Sequence, residues 1–92
     1  MGNDKTFLKV SMRLVRELGS DEAILYAFLQ NCSKVWKKDA DGYFTVFSSY
    51  IMKETGLGHT KFYKTRDRII EVGLLRFKQG VNQNIKNKYK LV

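Results

Sequence analysis

A winged helix-turn-helix of the α+β class, three to four helices with a C-terminal β-hairpin wing, is the fold this sequence predicts, on three observations. Residues 48–73, SSYIMKETGLGHTKFYKTRDRIIEVG, read as a short helix, a glycine-bounded turn and a second helix. Residues 74–92 follow with two strand-like runs, LLRFK and IKNKYKLV, around the polar turn QGVNQN. Basic charge is concentrated in the same part of the chain. Residues 1–56 hold eight Lys or Arg against seven Asp or Glu, a net +1, whereas residues 57–92 hold nine against two, a net +7. An excess gathered on one structural unit implies a polyanionic partner more strongly than the same charge spread evenly.

Ninety-two residues, 43% of them hydrophobic, suffice for one domain, 1–92, with a single modest core. TFLKV, residues 6–10, is expected as a short edge strand. Ser11 then caps a short helix through Met12, Leu14, Val15 and Leu18, which Gly19 closes in the left-handed region. Ser20 is the expected cap of the next helix, with Asp21 and Glu22 at the positive end of its dipole. That helix runs to about Trp36. Its stripe is Ala23, Ile24, Ala27, Phe28 and Val35, broadened by Leu25, Tyr26, Leu29 and Cys32, which makes it the central packing element.

A turn at 39–42 and a strand at 43–46 follow. Ser48 is the expected cap of the first helix of the helix-turn-helix, with Ile51 and Met52 inward and Gly56 at its end. Gly56-Leu57-Gly58 is the expected turn, where glycine supplies positive φ cheaply and Leu57 can plug into the core. Thr60 is the expected cap of the second helix, residues 61–72. Helical spacing turns Phe62, Thr65, Ile69 and Val72 inward and Lys61, Lys64 and Arg68 outward, with Tyr63 and Asp67 beside them. Arg66 falls at the inward border, placed to snorkel or to pair with a carboxylate. In the last run, period two sets Ile85, Asn87, Tyr89 and Leu91 on one face and Lys86, Lys88 and Lys90 on the other.

A helix of this kind meets base edges with its first turn and a half, so Lys61, Tyr63 and Lys64 are the candidate readers of double-stranded DNA, with Arg68 completing the strip. Thr60 and the free amides of helix starts, including that at Ser48, suit phosphate. His59, in the turn, is a further candidate phosphate contact. Lys78, Lys86 and Lys88 would clamp backbone from the wing. The amides Gln79, Asn82, Gln83 and Asn84 can both donate and accept at a groove or phosphate. Solvated helix ends and plain turn residues are the alternatives for these positions, as is a winged helix that docks on protein.

Other classes are excluded. No apolar run is long enough for a spanning helix, and MGNDKTFLKV has no signal-peptide pattern. Gly2 and Thr6 match a myristoylation pattern, but no second anchor follows, so no membrane partner is expected. A lone cysteine, Cys32, fits a reducing cytosol and reads as a small buried thiol; with the single His59 it is too little for zinc. No Walker loop, metal spacing or Ser/His/Asp set is present, so neither an enzyme nor a cofactor is expected.

FLKVSMRLVRELGSDEAILYAFL, DADGYFTV and IMKETGLGHTKFYKTRDRIIEVGLLRF, with the closing YKLV, resemble the N-terminal winged-helix domain of Gram-positive plasmid and phage replication initiators, and more distantly the DnaD-type primosomal domains. Leu25, Tyr26, Phe28 and Leu29 occupy that family's helix motif; Gly42, Tyr43 and Phe44 occupy its strand motif. The resemblance implies sequence-specific binding of repeated duplex sites at an origin, in the bacterial cytoplasm, often as a homodimer. Two departures stand out. Ser11 replaces the family's usual proline, and the family extends past the wing whereas this sequence stops at Val92, which suggests an excised domain or a small stand-alone protein. Repression of a mobile-element promoter, or docking within a replisome, are the competing expectations.

Overall fold

Ser11 opens the first helix as expected: its Oγ accepts the Leu14 amide at 3.3 Å, and α1 runs Met12–Glu17. The structure, a computed structural model, describes residues 9–79 and 87–92. The expected strand at 6–10 lies mostly outside those residues, and Lys9 and Val10 carry no strand. Four helices and three strands follow in the order α1, α2 (Ser20–Val35), β1 (Phe44–Thr45), α3 (Ser48–Thr55), α4 (His59–Glu71), β2 (Leu75–Lys78) and β3 (Lys88–Leu91).

The expected hydroxyl caps are displaced by one or two positions. Gly19, Phe47 and Gly58 are the N-cap residues of α2, α3 and α4, none with a side-chain cap bond, so Ser20 and Ser48 are first helical residues and Thr60 is the second. In α4 the Gly58 carbonyl already accepts the Phe62 amide at 2.8 Å, so the helix begins before Thr60 is reached. Helix ends are better matched. Gly56 closes α3 in the left-handed region at φ 79°. Gly73, at φ 86°, closes α4 by donating to the Ile70 carbonyl while Leu74 donates to that of Ile69, the paired bonds of a Schellman ending. The chain turns away there, which leaves Val72 exposed rather than inward.

In α2 the innermost residues are Leu25, Phe28, Leu29 and Cys32, at i, i+3, i+4 and i+7, with Ala23 and Ala27 also buried. Residues read as broadening the stripe are therefore its centre. Val35, at the last helical position, is 77% exposed. The helix is wide-faced because α1, α3, α4 and β3 all pack on it. Each fully buried aliphatic side chain there contributes about 1.5–3 kcal/mol relative to exposure. The rings of Phe28, Tyr50 and Trp36, with centroids 5.9 and 5.6 Å apart in turn, tie α2 to α3.

The strands form one antiparallel sheet in the order β1-β3-β2. The first strand is shorter than the expected 43–46. The register sets Phe44 and Phe77 on either side of Tyr89, whose ring is fully buried. The expected inward face of β3 is thereby seen at Tyr89. The hairpin turn expected at 79–84, with Asn82, Gln83, Asn84, Ile85 and Lys86, lies outside the described residues from position 80 onward. With α3 and α4 against a sheet whose last two strands form a hairpin, this is a winged helix-turn-helix. No helix among the described residues is long and apolar enough to cross a membrane.

Candidate nucleic-acid interface

Three residues of α4, Phe62, Thr65 and Ile69, are buried and fix its rotation. The line opposite them is then Thr60, Lys64, Asp67 and Glu71, all exposed. Along that line the helix is polar and basic at Thr60 and Lys64 and acidic at Asp67 and Glu71, while Arg68 flanks it in the last turn. If a groove receives this helix, it receives the N-terminal half.

The two flanks of α4 are anchored differently. Toward the wing, the His59 ring stands edge-on to Tyr63 with centroids 4.8 Å apart. Arg66 then lies 4.9 Å from the Tyr63 ring centroid and 4.3 Å from that of Phe77 on β2. Its side chain is 11% exposed and pairs with Asp67 at 3.1 Å, so both roles expected for it are seen. Tyr63 is accordingly a half-buried platform, whereas Lys64 projects freely.

On the other flank Lys61 Nζ lies 3.5 Å from Asp21 Oδ2, and Arg68 Nε lies 3.8 Å from Glu22 Oε2. Both carboxylates belong to the first turn of α2, where the helix dipole favours them. The expected strip is therefore divided: Tyr63 leans to the wing, Lys61 and Arg68 lean to α2, and Lys64 stands between them with no ion pair among the described residues.

The wing shows a related pattern. Register pairs Arg76 with Lys90 and Lys78 with Lys88, which puts four cations on the outer face of the sheet. Like charges directly opposite each other repel. The turn before β1 relieves this: Lys88 Nζ donates to Asp39 Oδ2 at 3.2 Å, Lys90 Nζ donates to the Asp41 carbonyl at 2.9 Å, and Lys78 Nζ lies 3.9 Å from Asp41 Oδ2. Lys78 also sits over the Tyr43 ring, 4.5 Å from its centroid. The same Asp39 accepts the amides of Asp41 and Tyr43 through Oδ1, and these bonds, the Tyr43 amide first, hold its carboxyl below the usual range. The expected lysine face is thus not a bare basic surface. Arg76, absent from the sequence-derived candidates, is exposed and has no ion pair among the described residues. Period two along LLRFK would have placed it beside Lys78.

Ser48 is half-buried at the start of α3, on a different element from the α4 strip. Ser48, Arg66 and Asn87 are the polar groups around the buried Tyr89 hydroxyl, yet none among the described residues meets it with hydrogen-bond geometry. Burial therefore dominates and pushes that phenol above its ordinary range.

Fold and surface together define a winged-helix module whose second helix presents a short basic start beside a partly neutralised wing. Two solved structures are similar to it. One is a Rep–DNA complex, with a TM-score of 0.75 and 21% identity, over 100% of this chain and 81% of that one. The other is the N-terminal domain of a DNA-binding protein, also at 0.75 and 21%, over 100% of this chain and 80% of that one. No family model and no curated protein sequence matches the chain. At that identity the likeness establishes the fold, which by itself hosts several functions.

Proposed function

We propose that this chain binds duplex DNA through the start of α4 and the outer face of the sheet, and that it does so in replication initiation on a plasmid, phage or similar element. The observation that carries the reading is the exposed N-terminal half of α4, where Thr60, Lys61 and Lys64 project from a helix locked to the wing by Arg66. In this reading Lys64 and Tyr63 meet base edges, and Thr60 with the free amides around it holds phosphate. His59 lies beside them at the same end. Arg76, Lys78 and Lys88 contact backbone from the sheet. The module binds without catalysis and without a cofactor. The process itself is supported by the sequence resemblance to replication initiators and by the likeness to a Rep–DNA complex. In that setting the protein acts in the bacterial cytoplasm on repeated sites, as a homodimer, with replisome proteins as further partners.

A salt titration of binding to mixed-sequence duplex tests the reading. With about four to seven phosphate contacts, log affinity against log salt falls with a slope of about −4 to −6. A flat line would overturn it in favour of protein docking, the second reading, which the neutralised cations of the wing favour. Mapping bound sites in cells then separates an origin from a promoter, the target of a mobile-element regulator with the same contacts.

A further inference from the structure

The cations of the recognition helix and the carboxylates of α2 are not adjacent by accident of one pair. Lys61 and Arg68 are seven residues apart, two turns along one flank of α4, and they meet consecutive residues, Asp21 and Glu22. Both acids sit in the first turn of a sixteen-residue helix, where its dipole stabilises their charge. Glu22 is fixed further: its side chain is 16% exposed and folds over Gly19, so closely that a Cβ at position 19 would stand 2.7 Å from Oε1. The cations, by contrast, are 64% and 52% exposed and reach their partners at 3.5 and 3.8 Å. In each pair the acid is the more enclosed member, Asp21 at 38% and Glu22 at 16% exposed.

We propose that Asp21 and Glu22 are affinity-limiting residues of the DNA-binding surface, carboxylates that compete with phosphate for Lys61 and Arg68. This rests on the DNA-binding reading above. Exposed pairs of this kind are weak, so an incoming phosphate readily displaces them. Their effect is felt in what remains: a carboxylate next to each cation cancels the counterion release that the cation would otherwise contribute. Lys64, with no such partner, keeps its full contribution. Two of the three cations on this side of α4 are therefore discounted, and the chain's +8 overstates its hold on DNA.

The test compares Asp21→Asn and Glu22→Gln with the wild type, on a mixed-sequence duplex, across a salt series. Each substitution keeps the shape and removes one charge. Each is expected to steepen the salt slope by about 0.9 and, by the same relation, to tighten binding about eightfold at 0.1 M salt relative to 1 M. Glu54→Gln serves as the charge-matched control. Glu54 is exposed on α3 and has no ion pair among the described residues. It is expected to change affinity less than twofold. Lys61→Gln adds a cycle independent of total charge. It should cost about eightfold more in the Asp21→Asn background than in the wild type. If the wild type binds with a steep slope but the α2 variants match Glu54→Gln, the inference falls and the DNA reading stands. If the Lys61→Gln cost is equal in both backgrounds, the inference also falls. If no variant binds duplex at any salt, the DNA reading fails and takes the inference with it. Circular dichroism on each variant separates loss of binding from loss of fold.

Discussion

Arg66 and Phe77 hold α4 against the wing: the guanidinium carbon sits 4.3 Å from the ring centroid, with the Tyr63 and Phe62 rings 4.9 and 5.8 Å away. Arginine suits this place because its flat, weakly hydrated cation stacks on rings while its stem covers apolar surface. Arg66→Ala is expected to destabilise the fold by about 1–2 kcal/mol, from lost cation–π and packing contacts. Arg66→Lys should recover only part of this. Urea unfolding checks the order wild type, Lys, Ala; equal midpoints for Lys and wild type would remove stacking from the account.

Lys64 and Arg76 are exposed cations without an ion pair among the described residues, so they should dominate the DNA-binding substitutions. Lys64→Ala is expected to relax sequence preference, at about 1–3 kcal/mol for a good base contact. Arg76→Ala and Lys88→Ala should weaken every sequence alike, Arg76→Ala the more, with a salt slope reduced by about 0.9 for a full phosphate contact. Anisotropy titrations on a selected site and on mixed-sequence duplex distinguish the two behaviours. A change of preference with Lys88→Ala would contradict the assignment of the wing to backbone.

Asp39 links the fold to acid stability. Its carboxyl is held low, first by the Tyr43 amide and further by Lys88, so its folded pKa lies below the unfolded one. A group of that sign stabilises above its unfolded pKa, near 3.9, and the contribution is lost as pH falls through the lower folded value. The melting temperature of the wild type should therefore exceed that of Asp39→Asn at neutral pH. The gap should close progressively below about pH 4. A gap that persists unchanged at pH 2 would mean the turn does not depend on this charge.

Cys32 provides a probe of the core. Burial pushes its thiol up to about 11, so at pH 8 only about one molecule in a thousand carries the thiolate. Alkylation of the native protein should be slower by orders of magnitude than in 6 M guanidinium, with a rate that tracks unfolding. A native rate close to that of a free thiol would place Cys32 outside the core.

Local signals made much of this molecule legible. The Ser11 cap, the Gly56 and Gly73 endings, the plug at Leu57 and the inward side of α4 at Phe62, Thr65 and Ile69 each depend on residues within a few positions. Pairings such as Lys88 with Asp39, forty-nine residues apart, depend on how whole elements dock, and periodicity carries no information about that. This is why charge in the last third looked unbalanced along the chain yet is substantially offset in space. Hydroxyl residues near helix starts also misplaced three caps, because a glycine or an extended residue just before them already supplied the backbone geometry.

The strand order β1-β3-β2 has a consequence for how the protein is made. The middle strand is the last of the three in the chain, and both neighbours depend on it for their partners. Helices α1 and α2, and α3 and α4, are joined by short connections, whereas residues 36–47, which include β1, separate α2 from α3. Closure of the sheet must wait for β3 to enter between two strands already emerged, one of them more than forty residues upstream. Until β3 pairs, Phe44 and Phe77 have no Tyr89 between them, and the core shared with α2 and α4 lacks that ring. Closing the sheet and burying the Tyr89 ring are therefore one event.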